Sequence, residues 1–418
     1  MTMICTIRSA GLENRRWMSG WLVLAVMAIL ATLGCSGPYR REAVPLAIQS
    51  TAEISGMPGV RYSPAVPEDV KRLAAEGVAS FYREKATFLA QGGKGQLPPA
   101  TYLALSGGGD KGAFGAGLLV GWSAAGDRPS FKLVTGVSTG ALIAPFAFLG
   151  PKYDKPLKAI YTGVSQDDIL VPRSLTAAVW DDAMADNRPL WQLLEKHIDQ
   201  KMLVAIAEEY KKGRLLLVAT TNLDAQLPVI WNLTKIAASG HPKALDLIRS
   251  LMIASAAIPG AFPPVLIDVE ANGRPYQEMH VDGGASTQVF LYPPTLEVAK
   301  MLKERHEQRE KKLYIIRNAR LDQDWAQVNR RTLPIVQRAI SSLIQSQGIG
   351  DLYRMYLTAK QDQIDYNLAV IGPSFKVAHT EDFERGFMQA LFDFGYTLAR
   401  KGYPWLKMPP GFNPESNR

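Results

Sequence analysis

Cysteine is almost missing from this chain of 418 residues: there are two, Cys5 and Cys35, both within the first 35 positions. Nothing beyond them can form a disulfide or a thiolate metal site, which excludes zinc ribbons, iron–sulfur clusters and disulfide-stapled scaffolds. Histidine is scarce as well, at five residues. No H-x-x-x-H, H-E-x-x-H or EF-hand loop occurs, so no metal and no other cofactor is expected. After residue 35 no apolar run approaches the roughly 20 residues that a membrane-crossing helix needs. Charge of one sign is not concentrated either: 47 Lys+Arg against 39 Asp+Glu leave a formal +8. That suits an anionic membrane surface at least as well as nucleic acid and identifies neither, and no nucleic-acid partner is expected. What is present is a composition of 47% hydrophobic and 21% charged residues, enough for a real core.

The first 35 residues read as an address. Arg8, Arg15 and Arg16 precede the apolar stretch Trp21 to Ala31, followed by Thr32-Leu33-Gly34-Cys35. A basic region, a short apolar region and small residues before a cut form an export signal. The last four residues resemble the lipobox of bacterial lipoproteins, with Thr32 departing from the usual aliphatic residue. The resemblance implies a signal peptide over 1–34, acylation of Cys35, and, with Ser36 following, a place in the cell envelope on the outer membrane facing the periplasm. An uncleaved anchor with an incidental cysteine is the alternative. Residues 35–67, rich in Pro, Gly and Ser without periodicity, read as a tether. The remainder, 68–418, is expected to be one soluble or peripheral domain.

Helical spacing appears over Val70 to Leu89, and thereafter strands and helices alternate. Strands are expected at Tyr102 to Ser106, Phe131 to Thr135, Leu215 to Thr220, Val229 to Asn232, Val265 to Val269, Met279 to Val281, Leu313 to Arg317 and Tyr366 to Ile371. This pattern predicts an α/β fold with a mostly parallel sheet covered on both faces. Tyr153 to Tyr210 is read as covering helices, with a mobile flap as the alternative. The charge-dense run Lys300 to Lys312 is read as a solvated helix face.

Three constellations carry chemistry. Gly107-Gly108-Gly109-Asp110-Lys111-Gly112 lies between a strand and a helix and formally satisfies G-x-G-x-x-G. The dinucleotide reading needs an acidic residue at the end of the next strand, where this chain has Thr135-Gly136-Val137-Ser138. The glycines still permit a sharp turn with several N–H groups aimed into one small space, a nest for a phosphate or for the oxyanion of an acyl intermediate. Gly136-Val137-Ser138-Thr139-Gly140 is a G-x-S-x-G between a strand and an apolar helix, the setting of a nucleophile elbow. A βαβ unit would place both loops together at the C-terminal ends of adjacent strands. Asp282-Gly283-Gly284 follows a short strand and offers a base. Either Asp282 serves Ser138 directly or a His completes a triad, with His280, His306 and His379 downstream. Asp224, after another strand, is a rival base.

At this point the chain resembles the patatin-like acyl hydrolases. The motifs that carry the resemblance are the glycine loop Gly107 to Gly112, the elbow Gly136 to Gly140, Ala254-Ser255-Ala256-Ala257-Ile258-Pro259 and Asp282-Gly283-Gly284, in that order over about 102–284. The resemblance implies a three-layer α/β/α fold, a Ser138–Asp282 dyad and hydrolysis of lipid acyl esters without a cofactor. The implied oxyanion hole comprises Gly107, Gly108, Gly109 and Gly112, with the Gly108 and Gly109 amides as its leading donors. Ser106 stands where many members carry Asp, and Lys111 where Arg is commoner. The expectation is a phospholipase A or lysophospholipase-like enzyme that meets a membrane surface and a phospholipid or other acyl-ester lipid, with transfer to an alcohol compatible with the same residues. The rivals are a nucleotide-binding oxidoreductase and a non-catalytic envelope lipoprotein. Residues 373–418 receive no catalytic part.

Overall fold

A computed structural model describes residues 40–173, 183–296, 309–322, 325 and 327–412. The signal segment with Cys35, most of the charged run from Lys300, His306 and part of the segment read as a flap lie outside the described residues.

Nine strands form one sheet: β1 (Arg61–Tyr62), β2 (Ala100–Leu105), β3 (Leu133–Val137), β4 (Leu215–Asn222), β5 (Leu227–Asn232), β6 (Val265–Ala271), β7 (Arg274–Asp282), β8 (Lys311–Arg320) and β9 (Asp365–Ile371). Its centre runs β4-β3-β2-β8-β9 with every neighbour parallel. All residues of β2, β3 and β4 are buried, as strands covered on both faces must be. An antiparallel wing is added at the β4 side, where β5 pairs β4 and β1 pairs β5, and the β6–β7 hairpin joins through β7. The sheet is thus mixed and largely parallel, an α/β/α sandwich.

Each face has its own core. On one side α1 (Pro67–Ala90) contributes Leu73, and the C-terminal half of the long helix α9 (Thr332–Gln361) contributes Leu352, Met355, Tyr356 and Ala359. On the other side lie α2 (Gly112–Ala125), α3 (Thr139–Leu149), α8 (Ala244–Ala256) and α10 (Arg385–Arg400), built on residues such as Phe114, Leu118, Phe146, Met252 and Phe392. The intervening helices are α4 (Asp154–Gly163), α5 (Arg188–His197), α6 (Gln200–Lys211) and α7 (Leu233–Ala238). The first three occupy much of the stretch for which a flap was the alternative.

The tether expectation fails for its described part. Residues 40–66 are folded onto the domain: Arg40 pairs with Asp224, Glu53 exchanges backbone hydrogen bonds with Glu270, and β1 extends the sheet. Ile54, Met57, Val60 and Tyr62 are buried. A two-residue strand with irregular flanks has no period to betray it.

Helices α2 and α10 pack with their backbones nearly touching. A Cβ on Gly117 would overlap the Phe392 carbonyl, one on Gly121 the Tyr396 carbonyl, and one on Gly395 the Phe114 carbonyl. In an exposed helix Gly→Ala gains about 1 kcal/mol; here the sign should reverse. Gly117→Ala is expected to destabilise the protein by about 1–3 kcal/mol, and Gly117→Val by more, read from the midpoint of urea unfolding.

Candidate active site

Strand register brings the motifs together. Leu105, the last residue of β2, pairs with Gly136 of β3, so the loops that follow, Ser106 to Gly112 and Ser138, emerge side by side. On its other edge β3 ends where Val137 pairs Ala219 of β4, and β7 runs in from the opposite direction to end where Asp282 pairs Thr220. Two strands therefore meet end to end along one edge of β4. The residue leaving one is Ser138, and the residue ending the other is Asp282.

The elbow at Ser138 is strained, with φ 54° and ψ −127° in a non-glycine residue. Its neighbours must be glycine for steric reasons: a Cβ on Gly136 would overlap the Gly140 carbonyl, and one on Gly140 the Leu105 carbonyl. The strained turn is pinned by Ser255. The Ser138 N–H donates to Ser255 Oγ at 3.0 Å, and that hydroxyl donates to the Ala219 carbonyl at 2.7 Å. Ser255 is fully buried on α8, which gives the Ala254 to Pro259 motif a mechanical role.

Asp282 is buried, and the Ser138 side chain lies near enough to act on its carboxyl. Burial pushes that carboxyl up to about 7, with the Ser138 side chain and the Gly284 amide opposing the rise. The Gly284 N–H donates to Oδ1 at 2.6 Å, while a Cβ on Gly283 would overlap the Ala219 carbonyl. Asp-Gly-Gly is thus one carboxylate, one close approach to β4 and one donor.

The glycine loop stands against Ser138: a Cβ on Gly107 would lie 3.2 Å from Ser138 Cβ. Gly108 (φ 156°) and Gly109 (φ 58°) both have positive φ, and a Cβ on Gly108 would overlap the Asn318 carbonyl. Among the described residues the Gly108 and Gly109 amides donate to no protein acceptor. Gly107 and Gly112 require a correction. The Gly107 N–H is spent on the Gln288 carbonyl at 3.1 Å, and the Gly112 N–H on carbonyls of its own turn. Both shape the loop, and neither has a free donor.

His280 does not join Ser138. Trp231 Nε1 donates to Thr220 Oγ1, whose hydroxyl reaches His280 Nδ1, each at 2.8 Å. His280 Nε2 then lies 3.0 Å from Glu278, itself paired with Arg61. Burial holds His280 below its usual value, against the pull of Glu278. Burial alone would raise Glu278, but the His280 hydrogen bond and the Arg61 charge take it down to about 2. Both ring nitrogens are committed to this buried network. Asp224 is occupied too, receiving a bidentate Arg40 and the Met279 amide. These bonds overcome burial and hold it below the usual carboxylate range.

Several supporting residues carry no sequence signal. Asn318 of β8 bonds Ser106 through both its amide N–H and its side chain and accepts from Gly115 N–H. Asp351 of α9 accepts from Gln288 N–H at 2.6 Å, and the Gln288 side chain donates to the Gly284 carbonyl. His379 Nε2 is 2.7 Å from Asp110, which also accepts from Phe383 N–H. The hydrogen bond to Asp110 raises His379 above its ordinary value. His379 and Phe383, from the segment given no catalytic part, therefore brace the glycine loop, a role that their lack of motif concealed. Asp110, His379 and Asp382 are also the one grouping of metal-ligand type among the described residues, but the first two already satisfy each other.

Residues 103–293 match the family model of patatin-like phospholipases, the same span that holds the elbow, the glycine loop and the Asp-Gly-Gly turn. The chain carries a patatin-like phospholipase domain. The family is one of lipid acyl hydrolases. No curated protein matches the chain in sequence. Among solved structures, VipD from Legionella pneumophila is 13% identical, with a TM-score of 0.35, 73% of this chain covered and 67% of that one. Human GIVD cytosolic phospholipase A2 is 10% identical, with a TM-score of 0.31, 75% of this chain covered and 55% of that one. At these scores the likenesses carry no argument about this chain.

Two consequences of the geometry in the patatin-like domain are measurable. Ser255→Ala leaves the Ser138 N–H buried and unpaired, at a cost of about 1–3 kcal/mol in denaturant unfolding. Asp282→Asn acts through linkage. Below the unfolded carboxyl value of 3.8 both states are protonated, whereas above the folded value near 7 the native protein buries a charge. The Asn variant should therefore match the native protein near pH 4, exceed it increasingly as pH rises, and reach a constant gain of a few kcal/mol above pH 8.

Proposed function

We propose that this protein is a serine lipid acyl hydrolase, of phospholipase A or lysophospholipase type, that cleaves carboxylic esters through a Ser138–Asp282 dyad. The observation that carries the reading is the meeting of the Ser138 hydroxyl with a buried carboxylate whose burial brings it to about 7. A carboxylate in water is too weak a base for an alcohol. Burial supplies the basicity that a second residue would otherwise provide.

In this reading Ser138 Oγ attacks the ester carbonyl while its proton passes to Asp282. The carbonyl oxygen, now negative, lies among the Gly108 and Gly109 amides, which need no reorganisation to receive it. Collapse expels the alcohol portion with that proton and leaves an acyl-enzyme. Asp282 then takes a proton from water, the water attacks, and the fatty acid leaves with Ser138 restored. An alcohol in place of that water would make the same residues an acyltransferase. The strained backbone at Ser138 holds Oγ out of its helix and toward both partners. With the lipobox-like Thr32 to Cys35, the reading places the enzyme as a lipoprotein of the bacterial envelope.

Ser138→Ala and Asp282→Asn should each reduce hydrolysis of a soluble short-chain acyl ester by about 10²–10⁴-fold or more, with folding checked by circular dichroism. For the native protein kcat/KM should rise with pH and be half-maximal near 7, because only ionised Asp282 accepts the proton. Retained activity in either variant, or a His280→Ala protein that folds but is inactive, would overturn the dyad.

A further inference from the structure

Helix α9 has two unlike halves. From Asp351 onward it is core, with Leu352, Met355, Tyr356 and Ala359 buried against the sheet. Before that it carries Ile335, Val336, Ala339, Ile340, Leu343 and Ile344, all exposed, with Leu343 at 70%. Their spacing of i, i+1, i+4, i+5, i+8 and i+9 places six aliphatic groups on one stripe. Trp325 in the preceding segment is 82% exposed and Val328 is exposed beside it in sequence. Among the described residues nothing covers this face.

The position of the stripe follows from hydrogen bonds. Gln345 bonds Arg317 and the Arg320 carbonyl at the C-terminal end of β8, which flank Asn318, the residue that holds Ser106. One turn and a half later, Asp351 holds Gln288, which in turn binds the Gly107 N–H and the Gly284 carbonyl. The helix then descends the sheet to β9, which starts at the opposite end. Residues 335–344 therefore project past the end of the sheet that carries Ser138, by about 1.5 Å per residue.

Charge completes the pattern. From Trp325 to Gly350 the chain has three arginines, Arg330, Arg331 and Arg338, and no acidic residue. A stripe of aliphatics with a tryptophan at one end and arginine as its sole charge is suited to the boundary between headgroups and acyl chains of an anionic bilayer. It is ill suited to a symmetric contact with a second copy, which would oppose the two sets of arginines.

We propose that Trp325 and the N-terminal half of α9 form the lipid-docking surface of this protein. Seated in an anionic leaflet, this surface turns the Ser138 end of the sheet toward the bilayer. The proposal names the surface used by the hydrolase and rests on that reading of Ser138 and Asp282.

The test uses the chain's shortage of cysteine. With Cys5 and Cys35 replaced by serine and Ser138→Ala preventing turnover, the full-length chain receives one nitroxide, at Leu343→Cys or at Ser341→Cys on the opposite side of the helix. Power saturation with oxygen and with an aqueous nickel reagent then reports depth locally, whatever the N-terminal segment does. On phosphatidylethanolamine/phosphatidylglycerol vesicles the 343 label should gain oxygen exposure and lose nickel exposure, and the 341 label should remain aqueous. On phosphatidylcholine vesicles the insertion at 343 should fall at least fivefold. An aqueous 343 label on anionic vesicles overturns the proposal, as does a 343 label already shielded without vesicles in proportion to protein concentration, which would mean a second copy. Leu343→Asp in the otherwise native chain should keep hydrolysis of a soluble ester unchanged and lower hydrolysis of anionic vesicles at least tenfold. A chain that hydrolyses neither ester defeats the dyad while the nitroxide result still decides the surface.

Discussion

A carboxyl group sealed away from water against a serine hydroxyl is the constraint around which this structure is arranged. Burying Asp282 is unfavourable by itself, and nothing about β7 as an isolated hairpin would keep it buried. Its place is imposed from outside by β4, which pairs β3 and β7 in line along one edge so that their ends abut. The cost is shared by the Gly284 amide, the Ser138 hydroxyl and a wall of backbone approaching too closely to admit any side chain at Gly283. Strain at Ser138 is met in the same way, by a hydroxyl from α8 anchored on the same strand. Two unfavourable local states thus lean on one scaffold, which is how proteins maintain reactive geometry.

The antiparallel wing separates two histidine roles that the chain alone left open. His280 sits two residues from Asp282, close enough for a triad on paper. The strand alignment instead sends its ring into the β4–β5 layer, where Trp231, Thr220, Glu278 and Arg61 consume it. His379, distant in sequence, reaches the glycine loop through Asp110. Proximity along the chain misleads here because both nitrogens of His280 are already taken by Thr220 and Glu278, on β4 and on β7 itself.

Legibility divides along local and non-local lines. The buried runs of β2, β3 and β4, the elbow at Ser138 and the glycine turn at Asp282 each announce themselves within about ten residues, through apolar continuity or obligatory glycine. Asn318, Gln288 and Asp351 do not, since an amide or carboxylate that braces a segment distant in the chain, 212 residues away for Asn318 and 63 for Asp351, has no local pattern. The exclusion of Gly107 and Gly112 as donors needed the partner of each N–H, which no motif states. The misread stretch 40–66 is of the same kind, held by pairings to β5, β6 and Asp224 rather than by any period of its own.

The contact between α2 and α10 also bears on how the protein is made. The helix that follows the glycine loop is roofed by residues 385–400, whose carbonyls press on Gly117 and Gly121. During synthesis the face of α2 that carries Gly117 and Gly121 stays uncovered until residues 385–400 have left the ribosome. The two helices can close on each other only after β3 to β9, which lie between them in the chain, have been made.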